Sequence, residues 1–430
     1  MRKLLFLLLF PLVLCGAEAQ LKIAVVSDIH EKWNELDRVF GFLAKKSPDA
    51  VLFGGDLANG NPESYRKYMM LYKKHFSPKK NPPVHIPILG NHDYLGFPKG
   101  SPRPAAKESL KRFFSAMELS ANWLQHHQVK GYTILGISAT DDKGENRHSE
   151  AEIKQVSDLI GKAEKSFPGK PVFVMTHCPP AFTLLRSRFN SKTLPGARYH
   201  WRLDHVRKML DGHPQAVSIS GHTHLAIEDE RSIWQGGFTA VHAGVLRWVT
   251  PQTPAPQEKT IKSLSRFGGR NFVYIEVFEN QMIVYRFDAN TLKEIKPQKR
   301  WVISLPHTPE KALYTAKCGE KDPAPKFPAG AKAEILRAKK HYCLQLDRAE
   351  HPDMVLAYEV RLIFDDKKYP EQKFFVSSDY FLHEKAEKRV LDIDEKIKLP
   401  SGASGVMQIT PYETFGKAGK ALISRFTVPK

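Results

Sequence analysis

The chain has 430 residues, 42% of them hydrophobic and 26% charged, enough for two domains with cores of their own, which excludes a disordered or fibrous polypeptide. A formal net charge of +19 draws polyanions. The lysines are scattered through both halves with no arginine-rich stripe among aromatics, so no dedicated nucleic-acid groove is evident; a phosphorylated small-molecule or polymer substrate, an acidic surface polymer and nucleic acid at low salt are the polyanions in question, and charge alone names none of them.

The N-terminal residues differ from everything that follows. Arg2 and Lys3 are charged, residues 4–14 are apolar apart from Pro11, and Ala17-Glu18-Ala19 places small residues at signal-peptidase spacing. The pattern predicts an export signal over residues 1–19 and a periplasmic or extracellular protein. The apolar run is roughly half the ~20 residues a spanning helix needs, which disfavours a membrane anchor, and no later stretch is apolar long enough to span a bilayer. Cys15 raises a lipid anchor, against which Leu14 is bulkier than the small residue such a site takes.

From residue 21 to about 287, short β-branched runs alternate with amphipathic stretches, as in parallel strands joined by crossover helices. Strands are predicted over 22–27, 50–54, 85–89, 132–138, 172–176, 216–220, 239–242, 272–277 and 282–287, and helices over 34–46, 105–118, 150–167 and 203–210. The fold class is α/β, an α/β sandwich over residues 20–305. Residues 296–309, with Pro297, Pro306 and Pro309, look like a linker. Beyond it only strands are predicted, over 341–346, 355–364, 374–376, 406–410 and 422–428, giving a small all-β sandwich over 306–430. In an oxidising compartment Cys318 and Cys343 could pair, and a buried thiol at each is the alternative.

The residues that carry chemistry fall at the ends of these strands. Asp28 and His30 follow the first, Asp56 the second, Asn91-His92-Asp93 the third, His177 the fifth, and His222 and His224 the sixth. Open α/β sheets place their ligand crevice at the C-terminal ends of strands, so carboxylate, amide and imidazole groups converge on one rim. Two ions ~3.5 to 4 Å apart stabilise both the attacking and the leaving oxygen of an in-line displacement at phosphorus. Holding them so close requires a bridging anion, and Asp56 is the natural bridge. Mixed oxygen and nitrogen ligands suit manganese, iron or zinc better than calcium or magnesium.

These five blocks resemble the calcineurin-like metallophosphoesterase superfamily, over roughly residues 22 to 290, and the Asp-x-His form is similar to its cyclic-nucleotide phosphodiesterase branch. The resemblance implies a β-sandwich flanked by helices and a dinuclear centre. Asp28, His30, Asp56 and His224 would hold one ion, and Asp56, Asn91, His177 and His222 the other. It further implies that His92 contacts the scissile phosphate with Asn91 and assists the leaving group, with Asp93 orienting it. Leu57-Ala58-Asn59 stands where purple acid phosphatases carry a tyrosine after the bridging Asp, which argues against a tyrosinate-bound ferric site.

Other residues carry less. The polar, basic and aromatic stretch 182–201 contains Arg198 and His200, candidates for recognising the rest of a substrate. His148, with Arg147, and His242 are rim candidates whose stronger reading is structural, and Cys178 reads as a packed thiol. Residues 399–402, 409 and 415–417 resemble the last strands of a fibronectin type III module. The expected reaction is hydrolysis of a phosphoric ester, a phosphodiester first. A nucleotidase, a nucleotide-sugar or lipid-headgroup pyrophosphatase and a nuclease are the alternatives, and a polyanion-binding surface protein with a vestigial metal site is the non-enzymatic one.

Overall fold

The computed structural model describes residues 18–141, 147–185, 187, 203–255, 259–262, 268–315, 317–382 and 388–430. Residues 1–17, on which the expected export signal and Cys15 fall, lie outside them, as do Arg198 and His200. Among the described residues no helix is long and apolar enough to cross a membrane.

The first part is mixed α/β, built on two stacked sheets. In chain order its elements are β1 (Leu21–Val26), α1 (Trp33–Lys45), β2 (Ala50–Phe53), α2 (Pro62–Phe76), β3 (Val84–Pro87), α3 (Ala106–Ala116), β4 (Leu124–Val129), β5 (Tyr132–Ile137), α4 (Glu150–Ser166), β6 (Val172–Thr176), α5 (Asp204–Leu210), β7 (Ala216–Ser220), β8 (Ile233–Gln235), β9 (Thr239–His242), β10 (Gly244–Val245), β11 (Asn271–Val277), β12 (Gln281–Asp288) and β13 (Trp301–Ser304). One sheet runs β13-β12-β11-β1-β2-β3, with β10 on β11, and the other β4-β5-β6-β7-β9-β8. Parallel pairing joins β1-β2-β3 and β5-β6-β7-β9.

Both faces of these parallel strands are covered, which is why they are apolar almost throughout. Ile23, Leu52 and Ile86 meet Phe173, Ile219 and Val241 between the sheets. On the outer face of the first sheet, Val26 and Phe53 pack against Phe40 of α1 and Tyr65 and Tyr68 of α2. On the outer face of the second, Leu135 and Val174 pack against Val156 and Ile160 of α4 and Val206 of α5. Local sequence starts the helices: Asn61 accepts the Glu63 N–H ahead of Pro62, and Ser149 and Glu152 form a reciprocal capping box.

Two expectations are corrected. The strands after β10 do not continue the parallel pattern, because β11 and β12 are joined by a tight turn and pair antiparallel. The stretch 296–309 is not merely a linker: Trp301–Ser304 pairs with β12 as an edge strand, and Trp301 is fully buried. Its apolar alternation was masked by the prolines on either side.

The remainder is all-β: β14 (Ala333–Ala338), β15 (His341–Asp347), β16 (Ala357–Phe364), β17 (Gln372–Ser377), β18 (Lys388–Asp392), β19 (Ser404–Tyr412) and β20 (Leu422–Thr427). A three-stranded sheet β14-β15-β18 and a four-stranded sheet β17-β16-β19-β20, antiparallel throughout, enclose a core that includes Leu344, Val360, Leu391 and Ile409. No disulfide links Cys178, Cys318 and Cys343, which are thiols.

Candidate metal centre

The turns that leave β1, β2, β3, β6 and β7 meet at one end of the two stacked sheets. They are laced to each other by backbone: Asp28 N–H donates to Gly55 O (3.0 Å), His30 N–H to Asp56 O (3.0 Å) and Gly221 N–H to His177 O (3.0 Å). Asp28, His30, Asp56, His222 and His224 all have φ between 42° and 65°. Non-glycine residues in the left-handed region cost free energy and collect at functional sites. Gly90 is needed for close approach, since a Cβ there would strike the Asp56 amide and carboxylate.

Two groups of donors form, and they share Asp56. In the first, the buried carboxylate of Asp28 accepts from Ser27 Oγ (2.7 Å) and from His222 N–H (2.9 Å) at Oδ2. Its Oδ1 is buried without a hydrogen-bond partner and lies 3.2 Å from His224 Nε2. His224 donates Nδ1–H to Trp248 O (3.1 Å), which leaves the Nε2 lone pair facing the site. His30 Nε2, also buried without a hydrogen-bond partner, is 3.5 Å from Asp56 Oδ2. In the second group, His177 donates Nδ1–H to Gly54 O (2.7 Å), and its Nε2 lies 3.4 Å from Asp56 Oδ2, 3.1 Å from Asn91 Oδ1 and 3.1 Å from His222 Nδ1. His222 Nδ1 is 2.9 Å from Asn91 Oδ1.

Lone pairs of oxygen and nitrogen are thus turned toward one another in a buried space, with few protons to separate them. Buried acceptors without a donor are rare, and a pair of cations is what this donor set fits. Asp28, His30 and His224 make one candidate group and Asp56, His177 and His222 another. A single oxygen of Asp56, Oδ2, faces both, because Oδ1 is occupied by the His92 N–H (2.8 Å).

Electrostatics agree with this arrangement. Burial alone would raise the Asp56 carboxyl, but His177, His30 and His92 together hold it well below the usual carboxylate range. Burial likewise opposes ionisation of Asp28, and His224 and His177 outweigh it. Burial drives His30 down to about 3, so its imidazole is neutral at ordinary pH, the form in which it could hold an ion. For His177 burial is overcome by Asp56, which raises it to about 9, so an ion entering here displaces a proton.

His92 stands at the edge of the centre, partly exposed, with its ring edge-on to His30 at 4.7 Å between centroids. The expectation that Asp93 orients it is corrected. Asp93 is fully buried, and its carboxylate accepts the backbone N–H groups of Asp56 (2.8 Å), Gly90 (2.9 Å), Ala58 (3.1 Å) and Leu57 (3.4 Å). It pins the turn that carries Asp56. Burial and the Asp56 charge push it up to about 7. The partner of His92 is Asn59, whose Oδ1 lies 2.7 Å from His92 Nδ1.

Arg247 and Trp248 were also not foreseen. Arg247 donates its backbone N–H to Asp28 O (3.0 Å), its Nη1 is 3.4 Å from His30 Nδ1, and its guanidinium lies over the Trp248 ring at 3.7 Å from the centroid. No carboxylate is within ion-pair distance of it among the described residues, so a half-buried cation faces the centre. Only the basic-aromatic pair itself signals this in sequence. Of the other rim candidates, His242 is buried behind the centre against Thr223 Oγ1 (2.9 Å) and lowered to about 4 by burial. His148 bonds to Ser138 O (3.1 Å) and His205 (3.3 Å). Cys178 is buried, and burial raises its thiol well above the ordinary range.

Residues 21–226 match the calcineurin-like phosphoesterase family. Among curated proteins nothing matches. Among solved structures, a dimetal phosphatase from Danio rerio is 10% identical, covering 67% of this chain and 99% of its own, with a TM-score of 0.44. The purple acid phosphatase PPD1 from yellow lupin seeds is 11% identical, covering 66% and 53%, with a TM-score of 0.44. The phosphoesterase Yfce from E. coli is 12% identical, covering 65% and 98%, with a TM-score of 0.29.

Proposed function

We propose that this chain, a metal-dependent phosphoesterase by virtue of the calcineurin-like phosphoesterase domain that residues 21–226 match, hydrolyses phosphodiesters at a dinuclear centre. The observation that carries the reading is the position of Asp56 Oδ2, 3.5 Å from His30 Nε2 and 3.4 Å from His177 Nε2, between two sets of buried donors. Asp28, His30, Asp56 and His224 hold one ion, and Asp56, Asn91, His177 and His222 the other. When bound, manganese, iron or zinc ions polarise the phosphoryl oxygens and supply the nucleophile.

The chain's own groups do the rest. Asn91 and His92 contact the phosphoryl group. Asn59 fixes the His92 ring through Nδ1, so the opposite nitrogen is the one presented to the departing alkoxide, and His92 delivers a proton there. Arg247, its guanidinium over the Trp248 ring and 3.4 Å from His30 Nδ1, takes up negative charge on the substrate. A diester is put first because the Asp28-Ile29-His30 block has the Asp-x-His form that resembles the cyclic-nucleotide phosphodiesterase branch.

We further take residues 1–19 as an export signal, placing the protein in the periplasm or outside the cell, and residues 20–305 and 306–430 as a catalytic and a fibronectin type III-like domain. The test of the activity is a comparison of bis(p-nitrophenyl) phosphate with p-nitrophenyl phosphate on protein loaded with manganese, iron or zinc. Faster turnover of the diester, abolished by a chelator, is expected. Absence of turnover of either ester with all three metals overturns the reading.

A further inference from the structure

The C-terminal sheet β14-β15-β18 carries a second cluster of metal-ligating types, far in sequence from the centre above. His341 and Cys343 are two apart on β15, so their side chains leave the same face of the strand. Asp392 on β18 lies directly opposite Cys343. Leu344 and Leu346 point the other way, into the C-terminal core. Cys343 is nonetheless only 2% exposed, and its Sγ is 3.6 Å from Asp392 Oδ1, which is 3.0 Å from His341 Nε2. One sulfur, one nitrogen and one oxygen donor therefore lie within 4.8 Å of each other.

We infer that His341, Cys343 and Asp392 form a separate mononuclear site for a borderline-soft divalent ion, zinc above others. Tetrahedral zinc, with bonds of about 2.3 Å to sulfur and about 2.0–2.2 Å to nitrogen and oxygen, sets its donors roughly 3.3–3.6 Å apart; the 3.6 Å from sulfur to oxygen meets this, and the 3.0 Å from oxygen to nitrogen has to widen by a few tenths of an ångström. Thiolate and imidazole select zinc over manganese, magnesium or calcium, which are suited by oxygen. All three donors stand on paired strands, so little ordering is left to the moment of binding. Arg337, Lys340 and Lys398 line the adjoining pocket and oppose a bare cation. The thiolate and carboxylate offset this, because together they neutralise both charges of the ion, and the fourth position is left to water or a small anion drawn by the basic rim. The three protein donors and one open position are the arrangement of a zinc site that exchanges a ligand.

Cobalt(II) is the probe, added to the full chain stripped of metal. Three equivalents per chain are expected, with a near-ultraviolet thiolate-to-cobalt charge-transfer band that the thiolate-free dinuclear centre cannot give. C343S should lose the band and one equivalent while ester hydrolysis is unchanged, whereas D56N should keep the band and C178S should keep it too. Should C343S fail to fold, H341A leaves the thiol in place and should weaken zinc by more than the roughly 10–100-fold that loss of an outer-shell partner causes. Absence of a thiolate band, a band that survives C343S, a band that disappears in C178S, or unaltered zinc affinity in H341A overturns the inference, leaving a His-Asp ion pair beside a buried thiol, whereas two equivalents with a band that C343S removes support it and count against a second ion in the dinuclear centre.

Discussion

Asp56 divides its oxygens between two tasks: Oδ1 fixes the backbone of His92, and Oδ2 faces both donor groups. Groups on the His92 side can therefore be separated from groups on the metal side by experiment. His92→Ala should lower kcat on a diester by about 10²-fold or more with metal content unchanged, measured by steady-state kinetics beside metal analysis. Asn59→Ala should produce a smaller fall of the same kind, and unequal metal loss in either variant would refute the assignment. Glu230 offers a pH prediction well apart from the metals. Burial opposes its ionisation, but Arg286, Lys296 and Lys299 outweigh burial and hold it at about 2, and Trp301 Nε1–H donates to it (2.7 Å). A carboxyl lowered on folding stabilises above its unfolded value of about 4.3 and ceases to do so as pH falls toward 2. E230Q should lose roughly 3–5 kcal/mol at neutral pH. The gap from the parent, followed by urea unfolding, should close between pH ~4.3 and ~2.

Among the elements, β13 shows how a short strand gains its place from side-chain burial. Trp301 fills the end of the inter-sheet core, and the Arg286 guanidinium lies 4.4 Å from its ring centroid. W301A should cost about 3–5 kcal/mol, and W301F clearly less, in the same unfolding assay. Strands such as β6 and β7 were legible to the residue because apolar runs end there at Thr176-His177 and Ser220-Gly221. The helix α2 was not, since its buried face is Tyr65, Tyr68 and Tyr72 rather than aliphatic, and β4 was not, since Gln125 and His127 leave it half polar on an edge. The same contrast holds in the centre. The ligand types and their order could be read, because each follows a strand. Asn59 and Arg247 could not, because their partners lie 33 and 217 residues away and only the fold joins them.

At the scale of the whole molecule, the C-terminal β region touches the metal centre's supports. Phe381, 2% exposed, packs with Val249, Val245 and Ala226, and a Cβ on Gly269 would meet both Phe381 and Val249. Val249 N–H donates to Gly269 O (3.0 Å), and Thr250 N–H donates to His224 O (2.6 Å). If His224 holds an ion as proposed, Phe381→Ala should weaken retention of that ion more than of its neighbour, with Phe381→Leu restoring most of it, read by metal titration. Equal weakening at both positions would mean a general loss of stability instead.

The span of the centre along the chain has a consequence for when it can exist. The carboxylate of Asp28 is completed by the amide of His222, 194 residues later, and the carbonyl that aims His224 belongs to Trp248. A ribosome-bound fragment ending before these residues holds a few donors and no cage, so the emerging polypeptide has nothing with which to retain ions. On the proposed dinuclear reading, loading with metal therefore waits until the chain has passed Trp248 and the first part has folded around it, whatever the order in which the single donors emerge.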